Sequence, residues 1–404
     1  MAVTLRSLET AVPGTVLAQD EVRDVFAAQS GLSRLGARLV SAAFNASGIE
    51  RRHTALVEWG RTAATEEPVF FDARTRRILN PSTGTRNRVY AREATELYVR
   101  AASRALAACE GIEAAEVSHV ITVSCTGFFS PGPDYRIVRA LGLEPSVQRY
   151  HLGFMGCYAA FPALRQATSI CEADPGAVVL VVAAELCTLH VRASDDQDTI
   201  VGSSLFGDGA AAAVVTGRDL DPAGPALRLD HFATVLTPVG EEAMAWNIGD
   251  NGFEMVLGTY VPHIIDDHVV EALAPLLAHD PSLGGRHYSQ IEHWAVHPGG
   301  RSILDKVEAR LGLRPEQLTP SRETLRDHGN MSSATVLFVL KRILERAGDG
   351  ERICGMAFGP GLTVESALLT KVGGAAKPVT AGATAGTRTA PRPMSAGAAP
   401  AGTR

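Results

Sequence analysis

Three residue types at separate places in the chain carry the chemistry, and the first is a cysteine. Cys157 sits in HLGFMGCYAAFPALRQA, residues 151–167, directly after Gly156 and ahead of an Ala-rich run that reads as a helix. A lone thiol there has two readings. Free cysteine is among the most buried residue types and packs as a small hydrophobe. At a helix N-terminus the macrodipole instead favours thiolate, and the cysteine becomes a nucleophile. A nucleophilic thiol needs a proton partner. His297, in HWAVHPGG, follows an apolar strand and precedes a Pro-Gly-Gly turn. Sites in α/β sheets commonly lie off the carboxyl ends of strands, so His297 is the candidate partner. The competing reading is a satisfied surface imidazole. Asn330, in DHGNMSSATVLFVL, precedes another helical run. Asn at that place is ordinarily an N-cap. Its functional reading is a neutral donor aimed at a developing oxyanion, alongside a His N–H. A Glu in the same position would repel that oxyanion.

Cys, His and Asn together suit a decarboxylative Claisen condensation. The thiolate takes an acyl group from one thioester. His297 and Asn330 hold the carbonyl of a second thioester while CO2 leaves, and the carbanion attacks the acyl-cysteine. The sequence offers neither a metal motif nor a phosphate-binding Walker loop as an alternative centre.

The fold must bring these side chains together, and the surrounding runs predict how. HVITVSCT (119–126), VQRYHLGF (147–154) and AVVLVVAAEL (177–186) read as strands, two of them buried on both faces. PDYRIVRALGL (133–143) and CYAAFPALRQATSICEA (157–173) read as helices, with Pro162 tolerable only near a first turn. The later half repeats the cadence. IEHWAVHP (291–298) is a strand; RSILDKVEARLGL (301–313) and MSSATVLFVLKRILERA (331–347) are helices; RICGMAFG (352–359) and LTVESALLT (362–370) are a closing strand pair. Such alternation means layered α/β architecture with helices on the sheet faces.

Bulk composition narrows the function classes. The chain has 404 residues, 46 % of them hydrophobic, enough for two fused halves. Charge is balanced at net −6 with no long basic block, which argues against nucleic acid as a partner. Six cysteines are scattered without a CxxC pair, so neither a zinc site nor a disulfide framework is expected. The N-terminus lacks a signal-peptide core, and no apolar run reaches the roughly 18 residues of a membrane helix. A reducing, cytoplasmic setting fits this cysteine usage. From Gly373 the chain is almost all Ala, Gly, Thr, Pro and Arg, which predicts a disordered tail over 373–404.

The residues now on the page resemble a family. GFMGCYAAFPALR around Cys157, SSLFGDGAAAAVV (203–215), WAVHPGGRSILDKVE (294–308), HGNMSSATVLFVL (328–340) and GMAFGPGLTVE (355–365) are similar, in that order, to motifs of the type III polyketide synthases, the chalcone-synthase-like group of the thiolase superfamily. The last motif separates them from ketoacyl synthases of fatty-acid initiation. The resemblance runs from about residue 3 to about 371. It implies a thiolase fold with a five-layered α-β-α-β-α core from two pseudo-duplicated halves, here 1–217 and 218–372. It implies a homodimer using an acyl-CoA starter and malonyl-CoA, without metal, flavin, nicotinamide or other cofactor. By that carry-over Cys157 is the nucleophile, His297 the base and enolate stabiliser, Asn330 the second oxyanion donor, and Phe206 a gatekeeper between CoA tunnel and cavity.

Departures from the plant pattern are also readable. Met255 stands where those enzymes carry a second gatekeeper Phe, and a flexible Met wall is expected to yield to longer chains. Ser130 stands where plant enzymes place a bulky Met near the dimer interface, and Cys125, next to Thr126, replaces a Thr. Cys187 and His190 fall at cavity-lining places. This pattern is similar to bacterial enzymes that accept aliphatic starters and make alkylresorcinols or alkylpyrones. The basic residues that meet CoA phosphates in plant enzymes are mostly absent, leaving Arg51 and Arg52 as candidates. Two alternatives stay open at this point: a single-condensation ketoacyl synthase, and a non-catalytic acyl-binding protein on the same fold.

Overall fold

The computed structural model describes residues 2–60, 67–220, 224–258, 260–283 and 285–373. The tail expected over 373–404 therefore lies outside the described residues, apart from Gly373.

Nine strands form one mixed sheet, and its order shows how the chain was built. They are β1 (Thr4–Ala11), β2 (His119–Ser124), β3 (Gln148–Gly153), β4 (Val178–Leu186), β5 (Asp208–Thr216), β6 (Ala226–Leu236), β7 (His293–Val296), β8 (Arg352–Gly359) and β9 (Thr363–Val372). Their order is β7-β8-β9-β6-β1-β5-β4-β2-β3. Read outward from the β1–β6 junction, both sides run alike. Antiparallel partners β5 and β4 flank β1, antiparallel partners β9 and β8 flank β6, and a parallel strand, β2 or β7, follows on each side. Only β3 lacks a counterpart among the described residues. The two sides meet through just two register pairs, Thr4 with Arg228 and Leu5 with Leu227.

Helices cover the two sides of this continuous sheet, β1 to β5 as the N-terminal sheet and β6 to β9 as the C-terminal sheet, in three layers. On the outer face of the N-terminal sheet lie α1 (Thr83–Ala107) and α2 (Pro133–Leu141); between the sheets lie α3 (Ala160–Ala173) and α6 (Thr335–Leu344); on the outer face of the C-terminal sheet lie α4 (Val261–Leu277) and α5 (Arg301–Leu311). The period-2 geometry of a strand explains the unbroken apolar runs. On β4, Val178, Leu180 and Val182 pack outward with Tyr98 and Ile137, while Val179, Val181 and Ala183 pack inward with Phe161 and Leu164. The result is the five-layered α-β-α-β-α core expected from the sequence.

One boundary differs. The helix expected from Cys157 starts at Ala160, and residues 157–159 form a turn. Pro162 is then the third helical residue, where its missing N–H costs no intrahelical bond. In the same way Ser332–Ala334 form a 3-10 turn before α6 begins at Thr335.

Close packing across the central layer leaves no room for added atoms. A Cβ on Gly355 would lie 2.7 Å from the ring of the fully buried Phe161. Gly355→Ala is therefore expected to destabilise the fold by about 1–3 kcal/mol, measured by urea denaturation. An unchanged midpoint would show that this layer is looser than described.

Candidate active site

Asn330 enters the site through backbone pairing between the halves. Its N–H donates to the Leu205 carbonyl at 2.9 Å, and the Gly207 N–H donates to its carbonyl at 3.0 Å, making an isolated parallel bridge between Phe206 and Asn330. The side chain is equally fixed. Its Oδ1 accepts from the Ser332 N–H at 2.8 Å and from Thr335 Oγ1 at 3.4 Å. The amide oxygen is thus held by the turn that follows it, and the Nδ2 donor is turned the other way, toward the Gly299 carbonyl at 3.3 Å. Asn330 is not the N-cap the alternative reading expected, since Met331 and Ala334 occupy those places.

His297 follows the last residue of β7, and its N–H is held by the Met356 carbonyl at 2.7 Å. The ring is 1 % exposed, and neither Nδ1 nor Nε2 has a hydrogen-bond partner among the described residues. Leaving buried polar atoms unpaired costs about 1–3 kcal/mol each. Such a ring is a site for an incoming polar group. Burial lowers its pKa to about 3, so at neutral pH it is an uncharged imidazole with one donor and one acceptor.

Cys157 occupies the turn after β3, and two glycines make that turn possible. Gly156 has φ +85°, and a Cβ there would meet Pro360 Cδ at 2.3 Å. On the facing strand end, a Cβ on Gly359 would meet the Tyr158 ring at 2.4 Å. The GCY and FGPG segments need each other's glycines. Burial pushes the thiol up to about 11, partly opposed by hydrogen bonds from Ser332 and Asn330. The sequence led us to expect a depressed thiol. Taken singly, Cys157 and His297 both resist charging, so at neutral pH the cavity holds a thiol and an uncharged imidazole.

Cys157, His297 and Asn330 line one cavity of about 290 Å³. Phe206, Met255 and Cys187 form part of its wall, as do Cys125 and Thr126. Beyond this polar end the lining is apolar, with Leu205, Met244, Leu257, Val261, Ile265 and Ile303. Among the described residues no group of three His, Cys, Asp or Glu is arranged to hold a metal.

Four candidates are placed elsewhere or differently. Ser130 lines a separate cavity with Tyr90, Phe129 and Pro131, so it does not border the space beside Cys157. His190 lines a small side pocket and shares neither nitrogen with the main cavity. Its Nε2–H donates to the Thr126 carbonyl at 2.8 Å, its Nδ1 accepts from the Phe253 N–H at 3.0 Å, and the ring stacks on Phe253 at 4.2 Å. Arg52 is 1 % exposed and cannot meet a phosphate in solvent. Its guanidinium donates to the Ser203 and Phe206 carbonyls at 2.8 and 2.6 Å, bracing the Phe206–Asn330 bridge. Arg51 is exposed but paired with Asp327 at 3.2 Å and does not line the cavity.

The sequence reading missed Glu185, wholly buried at the end of β4. It accepts from Thr126 Oγ1 at 2.7 Å, from Ser124 Oγ and the Cys125 N–H at 3.0 Å each, and from Ser333 Oγ. Burial pushes its pKa up, and those donors oppose the shift. Cys125 Sγ in turn lies 3.1 Å from Ser332 Oγ, so one network underlies the polar end of the cavity. A carboxylate closing an otherwise apolar strand was the available signal, since Glu is almost never fully buried unless partnered. Trp246 was also missed; its Nε1–H donates to the Cys125 carbonyl at 2.7 Å and its ring walls the cavity.

Comparison with known proteins gives this site a family. The N-terminal domain model of chalcone and stilbene synthases matches residues 2–220, and the C-terminal domain model matches residues 228–373. The chain belongs to the chalcone and stilbene synthase family. It is similar to bisdemethoxycurcumin synthase of Oryza sativa subsp. japonica, with 39 % identity over 302 residues covering 72 % of this chain and 74 % of that protein. Among solved structures it resembles PKS-I from the brown alga Ectocarpus siliculosus, with TM-score 0.83, 26 % identity, and 92 % and 98 % of the two chains covered. It also resembles the C-terminal type III polyketide synthase domain of Steely1, a type I/III hybrid from Dictyostelium, with TM-score 0.84, 26 % identity, and 92 % and 100 % covered. The five-layered fold is thus that of the type III polyketide synthases, and the chain is an acyltransferase-class enzyme.

The isolated thiol's behaviour is testable. In His297→Ala the thiol keeps its burial and the opposing hydrogen bonds from Ser332 and Asn330, so its alkylation by iodoacetamide should still be rising above about pH 9, toward a midpoint of about 11. A reactivity plateau below pH 7 in that variant would contradict the electrostatics described.

Proposed function

We propose that this enzyme condenses malonyl-CoA repeatedly onto an acyl-CoA starter and releases a cyclised polyketide. The observation that carries the reading is the uncharged, unpartnered His297 ring lining the same cavity as Cys157 and the outward-turned Asn330 amide. The steps balance without an added cofactor. Cys157 sulfur attacks the starter thioester, its proton passes to His297, and CoA leaves as the thiol after taking that proton. The malonyl thioester carbonyl then accepts hydrogen bonds from the His297 N–H and Asn330 Nδ2. These donors stabilise the enolate formed as CO2 departs. The enolate carbon attacks the acyl-cysteine carbonyl, a carbon–carbon bond forms, and the thiolate leaves. Phe206, at the wall where the halves join, separates the thioester arm from the growing chain in this scheme.

The starter in this reading is a medium-to-long aliphatic acyl group, and the products resemble alkylresorcinols or alkylpyrones. Support comes from the apolar lining and from Met255, whose unbranched side chain repacks readily. Ser130 no longer contributes to it. The proposed unit is a homodimer joined along β3. That strand is one of the sheet's two outer edges, and Tyr150 on it is 38 % exposed, as is Phe128, whose ring lies 5.5 Å from that of Phe154 just past the strand. An unpaired edge of this kind is a template for a second strand. Among the described residues no helix is long and apolar enough to cross a membrane.

Incubation with malonyl-CoA and a panel of acyl-CoAs, followed by mass spectrometry, tests the assignment. Repeated two-carbon extension with ring closure is expected, with turnover favouring aliphatic starters. A single β-ketoacyl thioester, or strict preference for aromatic starters, would overturn the corresponding part. Cys157→Ala should lose acyl loading altogether. Asn330→Ala should reduce malonyl decarboxylation by about 10²–10³-fold, the usual loss for one oxyanion donor. Normal decarboxylation in Asn330→Ala would remove its assigned role.

A further inference from the structure

Where the cavity meets solvent decides what can hold the far end of a thioester. Among the described residues that line it, only Ser302 is exposed. The mouth therefore lies at the first turn of α5, where Gly299, Gly300, Ser302 and Ile303 form the lining. Arg301 is the residue between Gly300 and Ser302. Its side chain is 60 % exposed, and its stem rests against Gly48, where an added Cβ would lie 3.4 Å from the Arg301 Cβ. Its charged neighbour among the described residues is Asp305, at 3.6 Å. Asp305 is itself engaged at 2.8 Å by Arg322, which also binds Glu308 at 2.9 Å. Arg301 thus shares Asp305 with Arg322 in a long, exposed pair; Arg51 instead holds the buried Asp327 at 3.2 Å, and Arg52 is itself buried.

We infer that Arg301 is the phosphate anchor of the CoA arm, a positioning residue that seats thioesters at the cavity mouth. This rests on the CoA-thioester reading above. The CoA nucleotide carries several phosphate charges, and a guanidinium pairs with phosphate through directed, charge-assisted hydrogen bonds. An exposed partner also makes the interaction sensitive to salt.

The test compares malonyl-CoA with malonyl-N-acetylcysteamine, which keeps the reacting thioester and lacks every phosphate. Arg301→Ala should lower kcat/KM for malonyl-CoA about tenfold, mostly through KM, and flatten its salt dependence. Turnover of the truncated thioester should be unchanged, and Arg301→Lys should recover much of the loss. An unchanged kcat/KM for malonyl-CoA, or equal loss with both thioesters, would overturn the anchor and leave the condensation reading standing. Failure of the wild-type enzyme to condense either thioester would overturn that reading itself.

Discussion

The site depends on one backbone bridge between the halves. Leu205, Phe206 and Gly207 come from the N-terminal half, and Asn330 from the C-terminal half. Two backbone hydrogen bonds join them, and the Arg52 guanidinium braces them from beneath. Burying a guanidinium is costly, and burial lowers the Arg52 pKa to about 10. That cost is offset by two carbonyl acceptors and the nearby Asp208. Gly207 and Gly329 leave the space it fills, since a Cβ on Gly329 would lie 2.9 Å from the Arg52 stem. That bridge ties the Asn330 backbone to the half that contributes the cysteine turn, while Ser332 and Thr335 hold its side-chain oxygen.

Polar order and apolar room are then divided along one cavity. At its closed end Glu185 gathers donors from Ser124, Cys125, Thr126 and Ser333, and so fixes the loop behind Cys157. His297 stands apart here, because among the described residues both its nitrogens are unpaired, whereas Arg52 and Tyr90 leave one atom each. Protein interiors rarely leave such atoms unsatisfied without a functional reason. The contrast with His190 is instructive. Burial lowers both rings to about 3, yet His190 spends both nitrogens on backbone groups and His297 spends neither. Pairing, rather than acidity, distinguishes a bracing imidazole from a reactive one.

Much of this was legible in the sequence because strands buried on both faces leave unbroken apolar runs, as in Val178–Leu186. His297 was legible because it stands where such a run gives way to a glycine turn, and Cys157 and Asn330 because each directly follows a glycine and precedes a helical run. The errors share a cause. Composition does not show which way a side chain faces. Arg52 reads as a surface cation next to Arg51, but strand alternation sends it inward. Ser130 and Cys125 are five residues apart yet border different cavities. The turn at 157–159 was hidden because its residues are helix-compatible, and only the contact of Gly156 with Pro360 shows why the helix starts later.

The central claim is convergence: positions 157 and 297, from opposite halves, line a single cavity. Cross-linking measures this directly. The His297→Cys variant, treated with a short bifunctional thiol reagent such as dibromobimane and digested, should yield a peptide pair joined between positions 157 and 297. Separate alkylation of both thiols with no cross-linked pair would contradict the account.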